Sequence, residues 1–154
     1  MVNDGGLPSA GQLELISFEI GGQEFCIDIR SVREIRGWTA ATQMPHTPSY
    51  MLGVINLRGA VMPVIDLRCR LGLGVTDVSS RHVIVVIQHS AQLAGVLVDA
   101  VQETFQVDAS VLQEPPQIET TTLDLFVDAI IPIEDRLLSR LVVSALLPAQ
   151  RIAA

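Results

Sequence analysis

The chain has no lysine; all 10 basic residues among its 154 are arginines. Chemistry that needs a side-chain amine is thereby excluded, both Schiff-base formation and the lysine of a phosphate-binding P-loop. Every cation is instead a planar, forked guanidinium, a shape suited to carboxylates. Positive charge is scarce as well as uniform in kind. A formal net charge of −7 removes the phosphate attraction that nucleic-acid binding requires. Aromatic residues make up 4%, too few to line a typical small-molecule pocket, so Trp38, Tyr50 and the four phenylalanines are expected as core or loop anchors. Cysteine is limited to Cys26 and Cys69, far apart in apolar surroundings, which predicts two small buried hydrophobes and no disulfide in a reducing compartment. Apolar runs end well short of the roughly 18 residues that suggest a membrane span. Residues 1–11 have neither the basic flank nor the apolar stretch of a secretion signal, and are expected as a flexible tail on a cytoplasmic protein.

Catalytic patterns are missing too. His46, His82 and His89 stand at no metal-ligand spacing with each other or with the cysteines, so neither a metal nor another cofactor is expected. No nucleophile elbow or glycine-rich dinucleotide loop occurs. Asp28, Asp66 and Asp99 each follow an apolar run. Two of them within about 10 Å in one cleft would make the acid and base of a small β-barrel hydrolase. A strand-end aspartate more often accepts backbone hydrogen bonds, so the hydrolase is an alternative from another class. A redox role for the cysteines is a further one, and it fails if both thiols are buried and distant.

What is present is a series of short β runs. Ile16, Phe18 and Ile20 alternate with Ser17 and Glu19, Gly21-Gly22 follows, and Phe25, Ile27 and Ile29 continue the alternation, which is a hairpin signal. Ser31 is placed to cap one helical turn through Val32, Glu34 and Ile35, and Ser49–Gly53 is read as another. Val54–Leu57 and Ala60–Leu67 form a second hairpin turning at Gly59, with Pro63 expected at an edge or a bulge. Arg68–Gly74 is partly helical in pattern, and the polar connection after it places a lobe boundary near 70–82, with strands free to interleave. Val83–Ile87 is β-branched throughout, as in strands buried on both sides. A return at Gly95–Val98, a strand at Val101–Val107, a helical turn at Asp108–Leu112 and a strand at Leu125–Ile133 follow. Arg136–Leu147 divides into strand and then helix. Strands at such spacing predict an all-β chain of two small barrels sharing a seam, one domain over residues 12–150.

Three segments resemble the CheW family of bacterial chemotaxis coupling proteins. They are Glu24–Ile29 followed by Val32–Trp38, then Thr47–Gly59 continuing through Pro63–Arg68 and containing the run Gly53-Val54-Ile55-Asn56-Leu57-Arg58-Gly59, and Ala94–Val101. The resemblance covers residues 12–133. It implies two packed five-stranded SH3-like β-barrels with a few short helical turns and no catalytic activity. It also implies an adaptor between a chemoreceptor cytoplasmic tip and the regulatory domain of a CheA-type histidine kinase, recruited from the cytoplasm to receptor arrays. A paralogue serving a twitching, developmental or second-messenger array has the same signature. By the resemblance, receptor contact falls to Val32, Glu34, Gly53, Asn56, Arg58, Gly59, Val98 and Asp99 along an apolar trough between the barrels. Kinase contact falls to barrel ends, with no residues assigned. The last segment departs from the family, with Ser139-Arg140 inside the final strand and Val142 where an Asp or Asn cap is expected.

Overall fold

Alternation along the first segments produces β1 (Gln12–Ile20) and β2 (Gln23–Asp28). Gly21 and Gly22 turn between them with φ of 58° and 80°, the left-handed backbone that a two-residue hairpin demands. These coordinates are a computed structural model that describes residues 11–116 and 121–148. Residues 1–10 of the expected tail and the domain limit at 150 lie outside them. The remaining strands are β3 (Val32–Gly37), β4 (Met51–Leu57), β5 (Ala60–Asp66), β6 (Val83–His89), β7 (Gln92–Val98), β8 (Ala100–Asp108), β9 (Val127–Ile133) and β10 (Arg136–Leu141). Two single turns of α-helix, α1 (Leu67–Arg70) and α2 (Val143–Leu146), follow β5 and β10.

The strands form two five-stranded sheets, ordered β8-β1-β2-β10-β9 and β3-β6-β7-β5-β4. In each the only parallel neighbours are a central pair, β2 with β10 and β5 with β7. Each closes into a barrel by the same device. The chain leaving one edge strand returns to bridge the opposite edge, Thr42 to Val54 in the second barrel and Gln113 to Ile130 in the first. The two barrels share one connectivity, started at a different strand: β3 through β7 in one, β8 through β10 and then β1 and β2 in the other. The fold is therefore the all-β pair of five-stranded barrels expected. Its division is not the one expected at 70–82. The chain enters the second barrel after Asp28 and leaves it at Asp99, because α1 packs back onto its own sheet instead of leading out of it.

Three apolar layers result. Leu15, Cys26, Ile131 and Leu138 fill the first barrel, and Ile55, Leu57, Met62, Val64, Ile84, Val86 and Leu97 fill the second. The largest layer lies between the sheets, where Ile16, Phe18, Ile20, Phe25 and Ile27 meet Ile65, Val85, Ile87, Val96 and Val98. The uninterrupted run in β6 serves two layers at once, Ile84 and Val86 facing into the barrel and Val85 and Ile87 facing the seam. Arg70 spans the two lobes on one side of this layer. Its guanidinium lies 4.2 Å from the Tyr50 ring centroid and 5.1 Å from that of Phe126, and it donates to the Ala145 carbonyl at 3.1 Å.

Several local expectations are corrected. Asp28, not Ser31, caps a helical turn, and that turn is Ile29–Ser31, the Asp28 carboxylate accepting from the Arg30 N–H at 2.9 Å. Val32–Gly37 is strand, because β6 offers it a full ladder. The turn expected at Ser49–Gly53 gives way at Met51 to β4. Pro63 lies in an inner strand, yet its missing N–H breaks nothing. Its cross-strand partner Val54 exchanges both backbone hydrogen bonds with Thr42, and pairing to β7 starts only at Val64. At Val142 no side chain caps α2; the residue instead donates its N–H to Phe126 O at 2.8 Å.

The seam predicts how the molecule unfolds. Phe25 is fully buried there, its ring 6.3 Å from that of Phe18. Phe25→Ala is expected to cost about 3–5 kcal/mol, measured as a fall in urea midpoint, with both barrels still unfolding in one transition.

Candidate functional site

Four of the residues singled out by sequence converge at one end of the second barrel. Arg58 and Gly59 make the two-residue turn between β4 and β5 with φ of 51° and 88°, the pair of positive φ values that a type I′ hairpin turn needs. Asn56 secures it, its Oδ1 accepting the Gly59 N–H at 2.8 Å. The turn holds the Arg58 guanidinium against β3, where its two terminal nitrogens donate to Glu34 at 2.8 and 3.5 Å. Arg36 approaches the same carboxylate at 3.9 Å. Since β3 and β4 are the two edges of the sheet, this fork also spans the barrel's opening. The hydrogen bond from Arg58, helped by the charges of Arg58 and Arg36, holds the Glu34 carboxyl below the usual glutamate range. The Arg58 side chain remains 71% exposed, so its outward N–H groups are free for a second acceptor.

Beside this charged rim lies an apolar edge. A bulge between Val32 and Glu34 lets Val32 pair with Ile87 and Ile35 with Val85, both partners belonging to the seam layer, while Glu34 pairs with Val86 of the barrel interior. Val32 is half-buried against the seam and Ile35 is 46% exposed. Ile35 was missed by sequence reasoning because the segment was read as a helical turn. The inter-barrel layer with its half-buried fringe is the finding that replaces the trough expected there: the space between the barrels is filled by the protein's own side chains. Two sheet faces with apolar centres close on each other, since contact removes both from water. At β3 the fringe of this layer stays accessible.

Gly53 supports the site from behind. Its φ is 147°, and a Cβ there would run into the Thr42 carbonyl oxygen, so the residue is what lets the chain after β3 close the barrel. Val98 and Asp99 do not join the cluster. Val98 is 1% exposed and its side chain belongs to the seam, so the contact assigned to it is corrected. It pairs with Val83, at the opposite end of β6 from the partner of Val32, four residues or about 13 Å of strand away. Asp99 ties the lobes together where the chain crosses between them. Its N–H donates to Glu19 O at 2.9 Å, and its carboxylate accepts the Gly21 N–H at 2.8 Å and lies 3.3 Å from His82 Nε2.

The other aspartates are spent on similar work. Asp66, almost fully buried, accepts from the Thr76 N–H at 2.9 Å, the Thr76 hydroxyl at 2.5 Å and the Cys69 N–H. Asp28 is held by Arg30, whose hydrogen bond keeps its carboxyl below the usual range. Of the three, only Asp99 lines the described cavity, so no two of them share that cleft as the hydrolase reading required. Among the described residues, no three His, Cys, Asp or Glu side chains gather into a metal-binding group, and no helix is long and apolar enough to cross a membrane. Cys26 is fully buried, and burial pushes its thiol up to about 12. Cys69, expected to be buried as well, is only half-buried on α1.

The chain is similar to known proteins over most of its length. A family model described as a CheW-like domain matches residues 14–151. A probable chemotaxis protein CheW from Rhizobium etli is 51% identical over 136 residues, covering 88% of each chain. The chemotaxis protein CheW of Rhizobium meliloti is 44% identical, covering 91% of this chain and 90% of its own. The crystal structure of the scaffolding protein TtCheW from Thermoanaerobacter tengcongensis superposes with a TM-score of 0.81 at 30% identity, covering 97% of this chain and 95% of that one.

Two measurements check the site's electrostatics. In an NMR titration the Glu34 carboxyl is expected to ionise below the ordinary value of about 4.3 and to move back toward it in Arg58→Ala. Because its value in the fold is the lower one, the stability it contributes is complete above the unfolded value and is lost as pH falls through the folded value. With a thiol reagent at pH 8 one cysteine, Cys69, is expected to react in the folded protein, and Cys26 only on unfolding.

Proposed function

The chain belongs to the CheW-like family of non-enzymatic chemotaxis scaffolds, and on that premise we propose that it couples a chemoreceptor's cytoplasmic tip to a CheA-type histidine kinase. In this reading it is cytoplasmic and recruited to receptor arrays, and it bridges by binding alone. The observation that carries the receptor half is the exposed Arg58 fork, braced by Glu34, beside the apolar fringe of Val32 and Ile35. A receptor tip is a helical hairpin. The apolar ridge of one helix lies along that fringe, in the manner of helix-in-groove recognition, while a carboxylate on the same helix takes the outward N–H groups of Arg58. Asn56 and Gly59 serve by shaping the turn, and Gly53 by closing the barrel.

For the kinase half, the two barrel ends present the same design. Glu103 on β8 receives Arg136, at the start of β10, at 2.8 Å, as Glu34 on β3 receives Arg58. The second residue of the returning strand is an exposed hydrophobe in both barrels, Val61 at 74% and Leu137 at 66%. Paired ends of this kind suit end-to-end contact with another barrel of the same build, which is how the regulatory domain of such a kinase is made.

Charge reversal separates recognition from bracing. Arg58→Glu is expected to weaken capture of a purified receptor tip at least about tenfold with an unchanged amide spectrum; unchanged binding sinks the assignment. The double swap Glu34→Arg with Arg58→Glu restores the internal pair. Binding stays lost if the guanidinium meets the partner, and returns if the pair only holds the loop.

A further inference from the structure

A cavity of about 460 Å³ opens where the chain crosses between the barrels, lined among others by Glu19, Arg68, Asp77, Arg81, His82 and Asp99. It lies apart from the Arg58 rim, and nothing in the coupling role uses it. Two of its polar groups are already satisfied. The Ser79 N–H donates to His82 Nδ1 at 3.0 Å, which leaves the ring proton on Nε2, facing Asp99 at 3.3 Å. Asp99 in turn holds Gly21.

The other four charges are different. Elsewhere in the described residues Arg30, Arg36, Arg58, Arg136 and Arg140 have carboxylate partners, Arg70 is stacked on aromatic rings, and Arg33 on β3 is the one other arginine without an ion pair. Arg68 and Arg81 enter no ion pair among the described residues, although Glu19 and Asp77 line the same cavity and are unpaired as well. Arg68 is also oriented in advance, its Nε donating to Leu73 O at 3.2 Å and its guanidinium lying close to Gly21 and Gly74. Two cations and two anions thus share one space without reaching each other.

We propose that this cavity is a binding site for a small zwitterion, its anionic group on Arg68 and Arg81 and its ammonium group on Glu19 and Asp77. The volume falls in the range of small-ligand sites, but the charged lining suits a polar guest. A lone anion meets three carboxylates and a lone cation meets two guanidinium groups, and juxtaposed like charges are costly. A guest carrying both signs satisfies each set, with charge-assisted hydrogen bonds at either end.

The test uses the full chain and three probes of equal length: 4-aminobutyrate, butyrate and butylammonium. In two-dimensional amide NMR, 4-aminobutyrate is expected to move the signals of Gly21, Thr76, His82 and Ala100 saturably, and to bind at least about tenfold more tightly than either single-charge probe. Arg81→Gln and Glu19→Gln are each expected to remove the shifts while leaving the rest of the spectrum in place. Equal binding of butyrate, or no saturable shift with 4-aminobutyrate, overturns the proposal.

Discussion

The apolar layer between the two sheets is the contact on which the rest of the molecule depends. The barrels are small, and among the described residues the interior cluster of the first holds four fully buried apolar side chains. Burying the outer faces of β1, β2, β6 and β7 against each other makes one core of the two lobes. At about 25 cal/mol per Å² of apolar surface removed from water, such a layer outweighs what a few exposed ion pairs contribute. The lobes are joined by only three residues at one crossing and one at the other, so their relative placement is set by packing and not by tethers.

Charge is used for closure and is left exposed at the barrel rims. Each barrel is fastened at its open end by an arginine near a hairpin turn and a glutamate on the first edge strand, Arg58 with Glu34 and Arg136 with Glu103. Both pairs are substantially exposed, which leaves their guanidinium groups within reach of other molecules. Asp99 plays the complementary part at the crossing, where backbone N–H groups left over between sheets need an acceptor. A scaffold that does no chemistry requires this arrangement: a stiff body, with its reactive-looking aspartates occupied by the fold and its cations at the rim.

How much was legible follows from which signals are local. Hairpins at Gly21-Gly22 and Arg58-Gly59 were readable because positive φ is a property of two adjacent residues. The run Val83–Ile87 announced burial on both faces, since no residue in it tolerates water well. The site was half legible. The family signature drew attention to Glu34, Asn56, Arg58 and Gly59, which do meet, and to Val98, which is buried where no partner reaches it. Ile35 escaped because Val32–Gly37 satisfies a helical and a strand pattern equally, and only the ladder with β6 decides between them.

By itself, then, the sequence determined strand character, turn positions, the absence of lysine chemistry and the family. Local backbone preference and composition suffice for each of these. The tertiary structure decided which strands share a barrel, that the seam is full, that Pro63 is harmless in an inner strand, and that unpaired charges line one cavity at the crossing. Those outcomes depend on pairings between residues distant along the chain, such as Gly21 with Asp99 or Thr42 with Val54. A one-dimensional pattern carries no energy for such contacts until the sheets have closed.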